Sequence, residues 1–172
     1  MVAPGNYPQK GVKFVNMAER HLNRGDIEAI LPHRRPFLFL ESAVILEPGK
    51  LVTGRLTDLT HPDFGYLGGH FPNLPITPGA ILMEALAELS GVVASSSDKP
   101  EVQGKVGVLG EDHMKYRGKI LPVEATLAEL EAEIISLRSR AGKTAVKATR
   151  EGRVLVEGEI LFVMVNRSEW SQ

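Results

Sequence analysis

Apolar and polar positions change their period several times along the chain, and the longest apolar stretch sits near its middle. From Gly79 to about Ala94 the sequence reads GAILMEALAELSGVVA, with only Glu84, Glu88 and Ser90 interrupting the apolar run. A helix apolar on nearly every face belongs in a core rather than on a surface. Thr77 is the expected N-cap and Pro78 the first helical residue, while Gly79 and Ala80 leave the first-turn amides open to a negative charge.

The rest of the pattern is dominated by strands. Between Val123 and Leu137 the residue types favour helix, yet Glu129, Glu131 and Glu133 alternate with Ala128, Leu130, Ala132 and Ile134. That period of two predicts a strand. Turns at Ala141-Gly142 and Glu151-Gly152 join it to strands over Thr144 to Arg150 and Val154 to Val165, a three-stranded meander. Pro36 to Leu46 and Leu51 to Leu59 are apolar, β-prone runs joined by Glu-Pro-Gly-Lys, which predicts a hairpin with Phe37 to Leu40 buried. Lys105 to Leu109 and His113 to Leu121 read as two short strands around Gly110-Glu111-Asp112.

Val12 to Asn23 reads as one short helix, and Asp26 as the N-cap of a second helical turn that stops before Pro32. Met1 to Gly11 reads as a flexible tail ahead of a single domain over residues 12–172. Thr60 to Pro78 has too many prolines and glycines for a regular element and too many apolar residues for a linker. Structured loops of this kind usually carry function. The periods alone give an α+β chain, an antiparallel sheet that curls around one buried helix.

Composition narrows the chemistry. At 172 residues and 43% hydrophobic content the chain fits one domain with a sizeable core. A net charge of -1 argues against nucleic acid as a partner. With no cysteine, disulfides, thiol nucleophiles and Cys-based zinc sites are excluded. The five histidines show no HExxH spacing, so a metal is not expected. No apolar h-region or membrane-length run appears, which makes a cytoplasmic protein without a membrane partner the expectation. Gly142 to Thr144 lacks the upstream glycine of a phosphate loop.

Glu84 and Glu88 share a helix face, and no Lys or Arg on that helix neutralises them. A carboxylate on a buried helix costs several kcal/mol unless paired or protonated, which marks Glu84 as a functional candidate. Glu88 is either a solvated residue near the helix end or a second buried acid. His33, Arg34 and Arg35 form either a solvated basic turn or a contact with a carrier protein or another subunit.

The string GHFPNLPITPGAILMEALAEL, from Gly69 to Leu89, closely resembles the signature of the β-hydroxyacyl-acyl carrier protein dehydratases of the hotdog fold. In that family GHFP, a P-x-x-PG turn and a helix carrying E-A-x-A-Q recur in this order. LPHRRPFLFLES, at Leu31 to Ser42, resembles the family's LPHRYPFLLVDR. The likeness runs from about Asp26 to about Val163, with three departures. LTHPDFGYLGGHFP is longer than the family's lead-in to the histidine, MKYRGKILPVE is a weak match to A-R-F-R-R-P-V-x-P-G-D, and Glu88 stands where the family more often has Gln.

The resemblance implies an antiparallel sheet wrapped around one long central helix. It also implies elimination of water from a β-hydroxyacyl thioester carried on acyl carrier protein, without a cofactor. His70 would take the α-proton, Glu84 would protonate the departing hydroxyl, and the amides of Gly79 and Ala80 would hold the thioester oxygen. The two proton-transfer roles can also be shared differently. Phe71, Pro78 and Met83 would line the substrate tunnel, and Lys115, Arg117 and Lys119 would meet the acidic carrier. A homodimer, or a trimer of dimers, is implied, with each site taking its His from one chain and its Glu from the other. A hotdog thioesterase and a non-catalytic acyl-binding or partner subunit are the competing readings.

Overall fold

The computed structural model describes residues 19–170. Seven strands form one antiparallel sheet: β1 (Arg20–Leu22), β2 (Leu40–Glu47), β3 (Leu51–Leu56), β4 (Lys105–Tyr116), β5 (Glu129–Leu137), β6 (Ala141–Arg150) and β7 (Arg153–Asn166). Their spatial order is β1-β2-β3-β5-β6-β7-β4, so the chain crosses over between β3 and β5 and places β4 on an open edge. Three helices complete the fold: α1 (Arg24–Ile30), the 17-residue α2 (Gly79–Ser95) and the short α3 (Pro122–Thr126). The sheet curls around α2, the expected hotdog arrangement.

Burial of the apolar face of α2 is what holds the layers together. Leu82, Ala85, Leu86, Leu89, Val92 and Val93 have no exposed surface, and they share one core with Leu130, Ala132, Val146, Ala148, Ile160 and Phe162 of the sheet. Each leucine so buried contributes about 2 kcal/mol. Ser90, a buried polar residue of α2, donates to Leu86 O at 2.8 Å and pairs with Thr144 Oγ1 on β6 at 2.8 Å, so its hydroxyl is not stranded.

The strand alternation on β5 behaves as its period predicts. Leu130 and Ala132 face the helix, while Glu129 and Glu131 point outward to Arg55 and Lys147. The β2–β3 hairpin also forms at Glu-Pro-Gly-Lys. Gly49 sits there at φ +66°, and a Cβ on it would lie 3.0 Å from Ser97, because the turn packs against the end of α2. Its N–H donates to Ser96 Oγ at 2.9 Å, which ties the helix C-terminus to the hairpin.

Several expectations are corrected. Arg20–Leu22 is an edge strand rather than part of a helix over residues 12–23; residues 1–18, including the expected tail, lie outside the described residues. Asn23, not Asp26, caps α1: its side chain accepts from Asp26 N, and the Asp26 carboxylate returns the bond to Asn23 N. Phe37 is exposed, at 56%, although Leu38, Phe39 and Leu40 are buried. Gly110 is a bulge and not a turn, because β4 runs unbroken past it with a register shift against β7.

Residues 122–126 form α3, started by Pro122 and by the Glu124 carboxylate bonded to Leu121 N, so strand β5 begins only at Glu129. Ala141 and Gly142 lie inside β6, with the turn before them. Thr77 does not cap α2. Pro78 occupies the N-cap position, and Thr77 is buried with its N–H donated to Ile120 O at 2.7 Å.

Candidate active site

His70 ends the 3-10 segment Pro62–Gly69 and opens a loop that closes on itself. Ile76 N donates to His70 O at 2.8 Å, and His70 Nδ1 lies 3.0 Å from Ile76 O. A carbonyl only accepts, so Nδ1 carries the hydrogen and the neutral ring keeps its lone pair on Nε2. That is the tautomer of a proton acceptor. Phe71 stacks on the imidazole at 4.4 Å between ring centroids and is itself exposed.

The loop delivers the chain to the start of α2, where no side chain caps the helix. The first-turn N–H groups of a helix have no partner within it. Tyr116, at the end of β4, packs over this turn: a Cβ on Gly79 would lie 2.7 Å from its ring. Nothing in the sequence pointed to Tyr116. A Gly79→Val substitution therefore displaces the tyrosine and crowds the amides together. We expect at least ~10-fold slower turnover, the scale of disturbing an oxyanion donor, with an unchanged rate placing the oxyanion site elsewhere.

One turn further along, Glu84 is partly buried and its Oε1 lies 3.3 Å from His33 Nε2. Glu88 follows on the same face and is 1% exposed. It is not a solvated helix-end residue. Its carboxyl accepts from Phe39 N at 3.0 Å and from Leu40 N at 3.1 Å, at the point where the chain enters β2. Burial pushes the Glu88 carboxyl up to about 8, the neighbouring Glu84 adds to the rise, and the two backbone N–H groups oppose it. Glu88 is thus held mainly as a neutral acid at neutral pH, which brings it close to the Gln of the family pattern.

A ligand atom from each of His33, Glu84 and Glu88 lies within 4.8 Å of the other two. These donor types suit a divalent cation, but such a cation would compete with the backbone donors already held by Glu88. The trio lines a small cavity of about 60 Å³ with Ala87, Gly91, Gly107, Leu109, Ile160 and Phe162.

The turn at His33 to Arg35 keeps Arg34 and Arg35 exposed, as a solvated basic turn would, while His33 is partly buried against Glu84. Arg34 donates to Leu31 O and His33 O, and Arg35 pairs with Asp63 at 3.0 Å. Pro78 and Met83 are partly buried near the start of α2; with Phe71, neither belongs to the cavity at Glu84. Lys115, Arg117 and Lys119 are exposed, but Arg117 is bonded to Glu157 and Lys115 adds to the lowering of that carboxyl. His70 is absent from the lining of the Glu84 cavity, whose histidine is His33.

Comparison with known proteins matches this arrangement to a family. Residues 31–164 fit the family model described as a FabA-like domain. The chain is 38% identical over 139 residues to a 3-hydroxyacyl-[acyl-carrier-protein] dehydratase FabZ of Listeria welshimeri, covering 80% of this chain and 92% of the relative. It is 38% identical over 145 residues to the FabZ of Ruminiclostridium cellulolyticum, covering 83% and 97%.

Among solved structures, the dehydratase heterocomplex ApeI:P of Xenorhabdus doucetiae aligns with a TM-score of 0.65 at 19% identity, covering 85% of this chain and 95% of that one. Zebra fish thioesterase superfamily member 2 aligns at 0.57 and 14%, covering 83% and 98%. At those identities the likeness is one of fold. The matched region holds both the His70 loop and the carboxylates of α2, and on that evidence the chain belongs to the FabA-like family of the hotdog fold.

Proposed function

We propose that this protein eliminates water from β-hydroxyacyl thioesters carried on acyl carrier protein, giving trans-2-enoyl thioesters in acyl-chain synthesis. The observation that carries the reading is the pair of proton-transfer groups at the motif positions: a His70 whose Nε2 is left free by its bond to Ile76 O, and a Glu84 set on the buried helix. His70 takes the α-proton and Glu84 delivers a proton to the β-hydroxyl, which leaves as water. The C–H and C–O bonds are replaced by the new double bond. Meanwhile the Gly79 and Ala80 amides hold the charge that develops on the thioester oxygen.

The two groups meet across a homodimer. Within one chain the histidine facing Glu84 is His33, and in the shared site a second protomer supplies His70. Strand β4, long and largely exposed on its free edge, is the element that needs covering. Phe71, Pro78 and Met83 then line the acyl tunnel at that junction. The carrier docks by its acidic surface at Lys115, Arg117 and Lys119, whose surplus charge is reduced by Glu157. The reaction takes place in the cytoplasm; no helix among the described residues is long and apolar enough to cross a membrane.

A thioesterase would use Glu84 to activate water and has no task for His70. Incubation with a crotonyl thioester separates the readings through loss of conjugation and release of free thiol. Hydration without thiol release is expected. Thiol release would indicate a thioesterase, and neither signal would indicate a binding module.

A further inference from the structure

We propose that His33 is a positioning residue for Glu84, fixing the orientation of that carboxyl from within the same subunit before the partner's half of the site arrives. The inference rests on Glu84 serving as a proton-transfer group.

His33 lies between the buried Leu31 and the buried Leu38 and Phe39 that lead into β2, so its segment is anchored on both sides. Its Nε2 lies 3.3 Å from Glu84 Oε1, while its Nδ1 is buried with no hydrogen-bond partner among the described residues. Among the described residues Glu84 is therefore the one polar side chain the ring engages. Leaving Nδ1 unpaired costs free energy, which a ring serving only as filler would not need to bear.

Glu84 in turn has few other ways to be held. Around the cavity, α2 offers Glu88 and the apolar Ala87 and Gly91, β4 offers Gly107 and Leu109, and β7 offers Ile160 and Phe162. Glu88 already bonds to Phe39 N and Leu40 N, so it is anchored away from this task. A glutamate side chain has three rotatable bonds, and a misplaced acid loses much of its rate. His33 supplies the N–H donor that restricts those rotations.

Four variants test this in the crotonyl hydration assay: His33→Phe, which keeps a ring without a donor; His33→Gln, which keeps an N–H; Glu84→Gln; and His33→Phe combined with Glu84→Gln. The expected result is a loss of roughly 10–100-fold in kcat for His33→Phe with little change in KM, the scale of misplacing a proton-transfer group. His33→Gln recovers most of that loss. In the Glu84→Gln background, His33→Phe costs less than about 2-fold, because the group it positions is already gone.

Normal turnover in His33→Phe, or an equal loss in both backgrounds, would overturn the inference while leaving Glu84 in the mechanism. Normal turnover in Glu84→Gln would remove the dehydratase role of Glu84 itself. If His33→Phe does not fold, His33→Gln against His33→Asn makes the same comparison, since the shorter amide cannot reach Glu84. Equal rates in those two would also overturn it.

Discussion

Replacing His70 with Ala or Glu84 with Gln is expected to lower turnover by at least ~10²-fold while the thermal midpoint stays close to that of the parent. Each substitution removes a proton-transfer group, and general acid–base catalysis accounts for about 10²–10⁴ in rate. Neither side chain is part of the apolar core, so folding is spared: both are only partly buried, and each makes a single polar side-chain contact, His70 to Ile76 O and Glu84 to His33. Near-normal turnover in either variant would take that residue out of the mechanism.

Glu88→Gln is expected to have its effect on stability, and the effect depends on pH. In the folded protein the Glu88 carboxyl is raised from an ordinary 4.5 to about 8, chiefly by burial. Between those values the folded state keeps a proton that the unfolded chain has released. Unfolding free energy therefore falls as pH rises through this window, at about 1.4 kcal/mol per pH unit and by roughly 4–5 kcal/mol in all. Gln has no proton to lose and keeps an oxygen for Phe39 N and Leu40 N. Urea unfolding should show parent and variant alike near pH 4.5, with the variant gaining steadily up to about pH 8 and then holding level. Parallel stability curves across that range would mean that Glu88 does not keep its proton.

Most of the fold was legible because the periods were clean. The apolar run of α2 and the Glu-Pro-Gly-Lys turn each have one reading and formed as read, and from Glu129 onward the alternation of β5 overrode residue types that favour helix. The errors came where glycine has two uses. Gly142 resembles turn chemistry but lies in β6, and it is glycine because the Phe162 ring occupies the place of its side chain: a Cβ there would lie 2.3 Å from that ring. Gly110 resembles a turn in the same way and is a bulge. Alternation also carried the expected β5 strand back through residues 123–128, where Pro122 and the Glu124 cap start a helical turn instead.

The site divides along a similar line. His70, Glu84 and Gly79 were visible because motif order marks them. His33 was read as part of a basic turn or of a carrier or subunit contact and not as a partner of Glu84, because that contact joins two segments far apart in sequence and no spacing rule links them. Tyr116 was missed for the same reason, since its packing on Gly79 depends on where the edge strand ends. The burial of Glu88 turns on two backbone donors at Phe39 and Leu40, which no side-chain pattern reveals.

Whether the dehydratase site is assembled from two chains is decided by mixing the two inactive variants. Equal amounts of His70→Ala and Glu84→Gln chains, unfolded together and refolded, associate at random to give about half heterodimers. Each heterodimer holds one intact site and one site with both groups lost. Roughly a quarter of the parent's crotonyl hydration activity is expected to return in the mixture. If His70 and Glu84 act within one chain, every mixed dimer lacks an intact site, and a mixture as inactive as the two variants alone would rule out a site shared between protomers.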